Sequence, residues 1–140
     1  MKLFLDTNVV LDVLGERHPW FSNSAALLSL VESGEAEALV AAHTISTLHY
    51  LLSKQLGRPR AAAALVELVR LVRVAAVDHD IVVRALSLGW SDVEDAMQAV
   101  CAMEVDADIF VTRDPRDFAS LPITVASPGE AYAQIKSTEK

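Results

Sequence analysis

The sequence is poor in cysteine and aromatic residues, and it has no long uninterrupted apolar run. Its single cysteine, Cys101, allows no disulfide within the chain, which favours the cytoplasm. Charged residues interrupt every apolar stretch well short of the ~18 residues that a membrane span needs, and the N-terminus does not resemble a signal peptide. Aromatic residues make up 6% and hydrophobic residues 52% of the 140 residues, so one domain with a core of mainly Ala, Val and Leu is expected.

Basic residues are also few. The chain has 12 Lys and Arg against 19 Asp and Glu, a net charge of −7. This is the wrong sign for a protein that holds nucleic acid by general electrostatics. Any contact with nucleic acid therefore needs a bound metal ion or a local group of cations, and the basic residues do group at Lys54, Arg58, Arg60, Arg70 and Arg73.

Strand-like and helix-like patterns alternate along the chain, which predicts an α/β fold. Strands are expected at residues 2–5, 37–42, 73–77, 108–112 and 123–126. Helices are expected at residues 8–14, 20–33, 43–56, 60–72, 78–88, 91–105 and 128–136, with a break at Gly57-Arg58-Pro59 between the third and the fourth. The predicted architecture is a three-layer α/β/α sandwich around a central, mostly parallel sheet.

Carboxylates follow two of the predicted strands directly. Asp6 comes after the first strand and Asp114 after the fourth, while Asp92, Glu94 and Asp95 open a long apolar-periodic helix. In open α/β sheets, ligands collect beyond the carboxyl ends of the strands. Carboxylates that converge there would repel one another unless a cation neutralised them. Oxygen ligands without His or Cys suit Mg²⁺ or Mn²⁺ rather than zinc, so the pattern predicts such a metal site.

Three ordered motifs resemble those of the PIN-domain family, the metal-dependent ribonucleases that include the toxins of VapBC-type toxin–antitoxin pairs. The motifs are Leu5-Asp6-Thr7-Asn8, Asp95-Ala96 before a mostly apolar helix, and Val111-Thr112-Arg113-Asp114 with Asp117-Phe118. The resemblance implies that Asp6, Asp95 and Asp114 are the catalytic, metal-binding carboxylates, with Asp92 and Asp117 as neighbouring acids. The side chains of Thr7, Asn8 and Thr112 are expected to support them through local hydrogen bonds.

The same resemblance implies a function and partners. It implies an Mg²⁺- or Mn²⁺-dependent endoribonuclease with an RNA substrate and a small antitoxin as its cognate partner. We also expect a homodimer that brings two acidic sites together, with Arg58 and Arg60 flanking a shared groove for RNA.

One position departs from the family pattern. PIN domains usually carry a further acid, most often Glu, on the helix after the second strand, and the matching position here holds Thr47. An alternative function is therefore a catalytically weak PIN domain that acts as a binding or regulatory module. An aspartyl phosphotransferase is a further alternative, but it would need a second acid where this chain has Asn8. A phosphate-accepting receiver domain would need its main acid after a middle strand, where none stands out.

Several residues also have a plainer structural explanation. Asp6 could simply cap the following helix, and Asp114 before Pro115 could start a turn. Ser91 and Glu94 match a capping box at the start of the acidic helix. Trp20 and Trp90 could stack on bases, but aromatic residues near helix ends more often pack in a core or an interface.

Overall fold

The computed structural model describes residues 1–138 and contains a five-stranded sheet in which each neighbouring pair is parallel. Its strands are β1 (Lys2–Leu5), β2 (Glu37–Ala41), β3 (Arg73–Ala75), β4 (Ile109–Val111) and β5 (Thr124–Ala126). The order β3-β2-β1-β4-β5 places β1 at the centre. Because the chain extends the sheet first on one side of β1 and then on the other, β1 and β4 form a topological switch point, where a crevice opens beyond their carboxyl ends.

Helices cover both faces of the sheet. They are α1 (Thr7–Leu14), α2 (Phe21–Glu32), α3 (Ala42–Leu56), α4 (Arg58–Leu71), α5 (His79–Ser87), α6 (Val93–Glu104) and α7 (Pro128–Thr138), and a 3-10 turn spans Pro115–Phe118. Helices α5 and α6 lie on one face, and the other five lie on the opposite face. Within residues 1–138, no helix combines the length and the apolar character that crossing a membrane requires.

The central strand shows why a sandwich forms. Leu3, Phe4 and Leu5 are all fully buried. Since successive side chains of a strand point to opposite faces, Leu3 and Leu5 pack in the core with α1 to α4 and α7, while Phe4 packs in the core with α5 and α6. A strand that is buried on both faces reads as a continuous apolar run. The predicted three-layer α/β/α architecture is thereby confirmed.

Element boundaries differ from the predictions at a few places. Helix α4 begins at Arg58 rather than at residue 60, because Pro59 fits the first helical turn, where its missing N–H is not needed. Strand β3 ends at Ala75 rather than at residue 77. The predicted capping box of Ser91 and Glu94 is wrong. Asp92 caps α6 instead, and its Oδ1 accepts the Asp95 N–H at 3.0 Å.

Candidate active site

The acidic residues after β1 and β4 meet at the switch point of the sheet. Leu5 of β1 is paired with Val111 of β4, and the Asp6 N–H continues the ladder by donating to the Val111 carbonyl at 2.9 Å. Thr112 and Asp114 follow the same end of β4. The two loops therefore leave the sheet side by side.

Side chains from two other elements hold the Asp6 carboxylate. Gln98 Nε2 of α6 donates to Asp6 Oδ1 at 3.1 Å, and Thr112 Oγ1 donates to Asp6 Oδ2 at 2.8 Å. No side-chain cap of α1 is formed, so capping does not account for Asp6. Asp6 is only 4% exposed, and this burial raises its pKa even though both hydrogen bonds act to lower it. The protein thus orients the Asp6 carboxylate although burial disfavours its charged form.

Gln98 links the three motifs through a buried network. It is 1% exposed, and its Oε1 accepts the Thr7 N–H at 3.0 Å and the Thr7 hydroxyl at 3.3 Å. The Thr7 and Thr44 hydroxyls lie 2.8 Å apart, which brings α3 into the network. Thr7 therefore supports Asp6 through Gln98, about ninety residues away along the chain, rather than through the local hydrogen bonds expected from the sequence.

Asp95 lies beside the same amide. Gln98 Nε2 is 3.5 Å from Asp95 Oδ1, a long and weak hydrogen bond, so one NH₂ group stands between the two carboxylates. The Asp95 pKa is raised to about 7, chiefly by burial and in addition by the negative charges of Asp6, Asp92 and Asp117. Without a cation, Asp95 is therefore partly protonated at neutral pH.

Asp114 and Asp117 lie around the 3-10 turn that follows β4. The Asp114 N–H donates to Thr112 Oγ1 at 3.1 Å, and the Asp117 N–H donates to the Asp114 carbonyl at 3.1 Å. Thr112 thus connects the Asp114 backbone to the Asp6 carboxylate. Asp114 also raises the Asp6 pKa by its charge, as Asp117 does for Asp95. The structure thus brings Asp6 within electrostatic reach of Asp95 and Asp114, and Asp95 within electrostatic reach of Asp117.

The donor chemistry of this cluster fits a hard divalent cation. The acids supply oxygen atoms alone, and the pKa values of Asp6 and Asp95 are raised in a way that a neighbouring cation would reverse. Nevertheless, no three His, Cys, Asp or Glu side chains in residues 1–138 already stand in an arrangement that could hold a metal ion. A cation on Asp6 and Asp95 would have to compete with the Gln98 amide for the two Oδ1 atoms.

Asn8 and Thr47 are two further residues that the sequence singled out near the site. The Asn8 side chain makes no hydrogen bond within the described part of the chain. Thr47, at the position of the usual family acid, donates its hydroxyl to the His43 carbonyl of its own helix at 3.3 Å. Thr44 is the α3 residue that contacts the network, and Thr47 follows one turn later on the same helical face.

Arg58 and Arg60 lie far from the acids of their own chain. They open α4, beyond the end of α3 at Leu56. With a rise of 1.5 Å per residue, the end of α3 is about 18 Å along the helix axis from Thr44. The two arginines therefore do not flank the acidic cluster within one chain.

The sequence reasoning missed Gln98, although a signal for it was present. Gln98 is a lone uncharged polar residue in the apolar segment between Ala96 and Ala102, and it lies three residues after Asp95 on the same helical face. A polar residue in an apolar helix segment usually has a buried partner. The sequence held no comparable signal for Thr44, because its contact depends on how α3 packs beside α1.

Comparisons with known proteins bear on this site. The model of the PIN domain family matches residues 2–116. Ribonuclease VapC1 of Aquifex aeolicus (strain VF5) is 25% identical over 134 residues, which covers 92% of each chain. The structure of Mycobacterium tuberculosis VapC20, described as a sarcin–ricin loop cleaving toxin, has 16% identity and a TM-score of 0.69, covering 85% of this chain and 95% of that chain. DNA-bound VapBC from Salmonella typhimurium has 20% identity and a TM-score of 0.72, covering 91% and 98%.

At 16% and 20% identity, these two solved structures show that the fold is shared. The family match covers most of the chain and includes Asp6, Asp95 and Asp114. The switch-point geometry, the ordered motifs and this match agree, and the chain belongs to the PIN-domain family.

Proposed function

We propose that this chain is an endoribonuclease that cleaves RNA phosphodiester bonds and is the toxin of a VapBC-type toxin–antitoxin pair. Membership in the PIN-domain family and the similarity to Ribonuclease VapC1 support a nuclease. The observation that carries the proposal is the arrangement around Gln98, where the buried Asp6 and the half-buried Asp95 share one amide at the switch point. A carboxylate such as Asp95, whose pKa is raised by burial and by a neighbouring acid, is typical of functional sites.

In this proposal Asp6, Asp95 and Asp114 hold Mg²⁺ or Mn²⁺. When bound, the cation supplies a Lewis acid for the phosphodiester and lowers the pKa of bound water. The chain's own contribution is to orient the ligands: Thr112 and Gln98 each hold one oxygen of Asp6. Asp92 fixes the start of α6 and so the position of Asp95, and Asp117 adds negative charge beside it.

Cleavage of a panel of tRNA, rRNA and mRNA fragments with Mg²⁺, Mn²⁺ or EDTA tests this proposal. Asp6→Asn and Asp114→Asn should each abolish metal-dependent cleavage while the melting temperature stays equal or rises, because removing one charge relieves repulsion. Asp80→Asn, which removes an exposed acid of α5, is the matched control and should cleave as the unmodified chain does. Wild-type heat of Mn²⁺ binding in Asp6→Asn would contradict its role as a ligand.

We also propose a small antitoxin and a second copy of the chain as partners, in the cytoplasm. The fold is shared with toxins in VapBC and FitAB structures, which supports the antitoxin. In a dimer, Arg58 and Arg60 of one copy could reach the RNA groove beside the acids of the other. Light scattering at micromolar concentration should show twice the chain mass, and a clean monomer would contradict the dimer.

A catalytically weak PIN domain with a binding or regulatory role is the second candidate. Thr47 at the usual acidic position favours it, because each missing carboxylate weakens the hold on a hard cation. If the RNA panel is bound but not cleaved at millimolar Mn²⁺, this candidate replaces the enzyme.

A further inference from the structure

A pocket lies next to the acidic cluster, on the side of α2 and α7. It has a volume of 370 Å³, within the range of ligand sites. Its lining residues are Pro19, Trp20, Asn23, Ser24, Arg113, Ser127, Pro128 and Gly129. Arg113 stands between Thr112, which binds Asp6, and Asp114. The pocket therefore begins where the acidic site ends.

Arg113 is held in a fixed position at this boundary. Its Nε lies 3.3 Å from Oδ2 of the fully buried Asp12, and its guanidinium carbon lies 3.9 Å from the centre of the Trp20 ring. The described residues offer its terminal NH₂ groups no hydrogen bond. A guanidinium fixed by an ion pair and an aromatic face, with free donors, is typical of phosphate recognition.

Two guanidinium groups flank the buried Asp12 carboxylate at this boundary. Arg17 Nε lies 3.9 Å from the other oxygen of Asp12, so two guanidinium groups face one carboxylate. The acidic cluster is close, since Asp6 and Asp114 both act to raise the Asp12 pKa. Arg17 and Arg113 together carry one positive charge more than Asp12, and a cation held by Asp6 and Asp114 would offset the charges of those two acids.

Two further observations point to an absent ligand. Ser24 is 1% exposed and lines the pocket, yet its hydroxyl has no hydrogen-bond partner in residues 1–138. Buried hydroxyl groups without partners are rare in native proteins. Trp20, on the rim, keeps 41% of its surface exposed.

We propose that this pocket, here named the Trp20–Arg113 pocket, binds one nucleotide of the RNA strand beside the scissile bond. Arg113 and the Ser24 hydroxyl bind its phosphate, and its base stacks on the exposed part of Trp20. Cationic side chains beside an aromatic platform are a common way to hold single-stranded nucleic acid. The proposal rests on RNA being the substrate. Within one chain it assigns the cation that binds RNA beside the acids to Arg113, since Arg58 and Arg60 lie far from the acids of their own chain.

The test measures RNA affinity without cleavage. A fluorescein-labelled, 2′-O-methylated RNA hexanucleotide is titrated with the protein in EDTA at several salt concentrations, and anisotropy reports the Kd. Arg113→Gln alone would leave Asp12 buried with a weaker partner, so the test variant is Asp12→Asn with Arg113→Gln, which removes both charges of the ion pair and preserves the net charge. The matched control is Glu67→Gln with Arg70→Gln, which removes an exposed ion pair of α4.

The Asp12→Asn, Arg113→Gln protein should bind the RNA about tenfold more weakly, and its slope of log affinity against log salt should fall by about 0.7, the value for one phosphate contact on a single strand. Trp20→Leu should raise the Kd about fivefold or more without changing that slope, because stacking carries no charge. The control pair should change neither quantity. Free adenosine 5′-monophosphate should compete with the RNA better than adenosine does.

The proposal is overturned if the Asp12→Asn, Arg113→Gln protein melts as the unmodified chain does and its salt slope is unchanged. Arg113 would then bind only the Asp12 carboxylate. If that variant is unstable, Trp20→Leu decides, because Trp20 is on the surface: an unchanged Kd would overturn the subsite. Cleavage by the unmodified protein in Mn²⁺ is scored separately, so failure of the nuclease and failure of the subsite are distinguishable.

Discussion

Replacing Gln98 tests the network at the centre of the site most directly. Gln98→Met keeps the length of the side chain but removes both the acceptor for the Thr7 N–H and the donor to Asp6. A buried N–H left without a partner costs about 1–3 kcal/mol, and a lost hydrogen bond to a charged group costs about 1.5–3 kcal/mol. We therefore expect the variant to be about 3–5 kcal/mol less stable in EDTA.

The measurement is the melting temperature by calorimetry, with and without Mn²⁺. At about 2–4 °C per kcal/mol for a chain of this size, Gln98→Met should melt about 6–20 °C lower in EDTA. Mn²⁺ should then raise the melting temperature more than it does for the unmodified chain, because the amide no longer competes for the Oδ1 atoms of Asp6 and Asp95.

Two other variants separate the loss of the Gln98 hydrogen bonds from other effects of the substitution. Gln98→Glu keeps an acceptor for the Thr7 N–H but places a further carboxylate between Asp6 and Asp95, so it should be destabilised in EDTA and gain the most from Mn²⁺. Gln134→Met makes the same chemical change at an exposed position of α7 and should melt as the unmodified chain does. If Gln98→Met kept its melting temperature in EDTA, the network would not support the site and the reasoning would be refuted.

Three further predictions concern charge and metal at the same site. Because the folded-state pKa of Asp95 is raised from 3.8 to about 7, the folded chain binds more protons than the unfolded one between these values, so stability in EDTA should fall as pH rises from about 4 to 7. Asp95→Asn should flatten that part of the curve, and an equal slope in both proteins would contradict the shift. Thr47→Glu should tighten Mn²⁺ binding in calorimetry, whereas Ser46→Glu, on the exposed side of α3, should not; equal affinities would show that Thr47 is not the vacant ligand position. EDTA should stop RNA cleavage, and added Mn²⁺ should restore it at millimolar concentration.

The architecture could be read from the sequence because it depends on local patterns. The run Leu3-Phe4-Leu5 is apolar throughout, and only a strand covered on both faces can bury such a run. The same holds for Ile109-Phe110-Val111 of β4. Boundaries were less certain, as at the start of α6, where Ser91, Asp92 and Glu94 all offered capping groups and the backbone geometry selected Asp92.

The site was predictable only as far as strand ends determine it. Asp6 and Asp114 follow strands, so their meeting at one edge of a parallel sheet needs only the strand order. Thr112 was predicted as a supporting residue, but the oxygen atom that each partner binds was not predictable. Thr112 reaches Asp6 from the end of the neighbouring strand, and Gln98 reaches it from a helix of an outer layer. Such contacts depend on side-chain direction, which sequence spacing does not specify.

The sequence by itself determined the sandwich, the three acidic motifs and their family, because apolar period and motif order are properties of the chain. Only the tertiary structure decided that Gln98 stands between Asp6 and Asp95, and that Arg113 turns toward Asp12 and Trp20. The physical reason is that a buried polar group must find its partner wherever packing brings one, and packing joins residues that are distant in the chain.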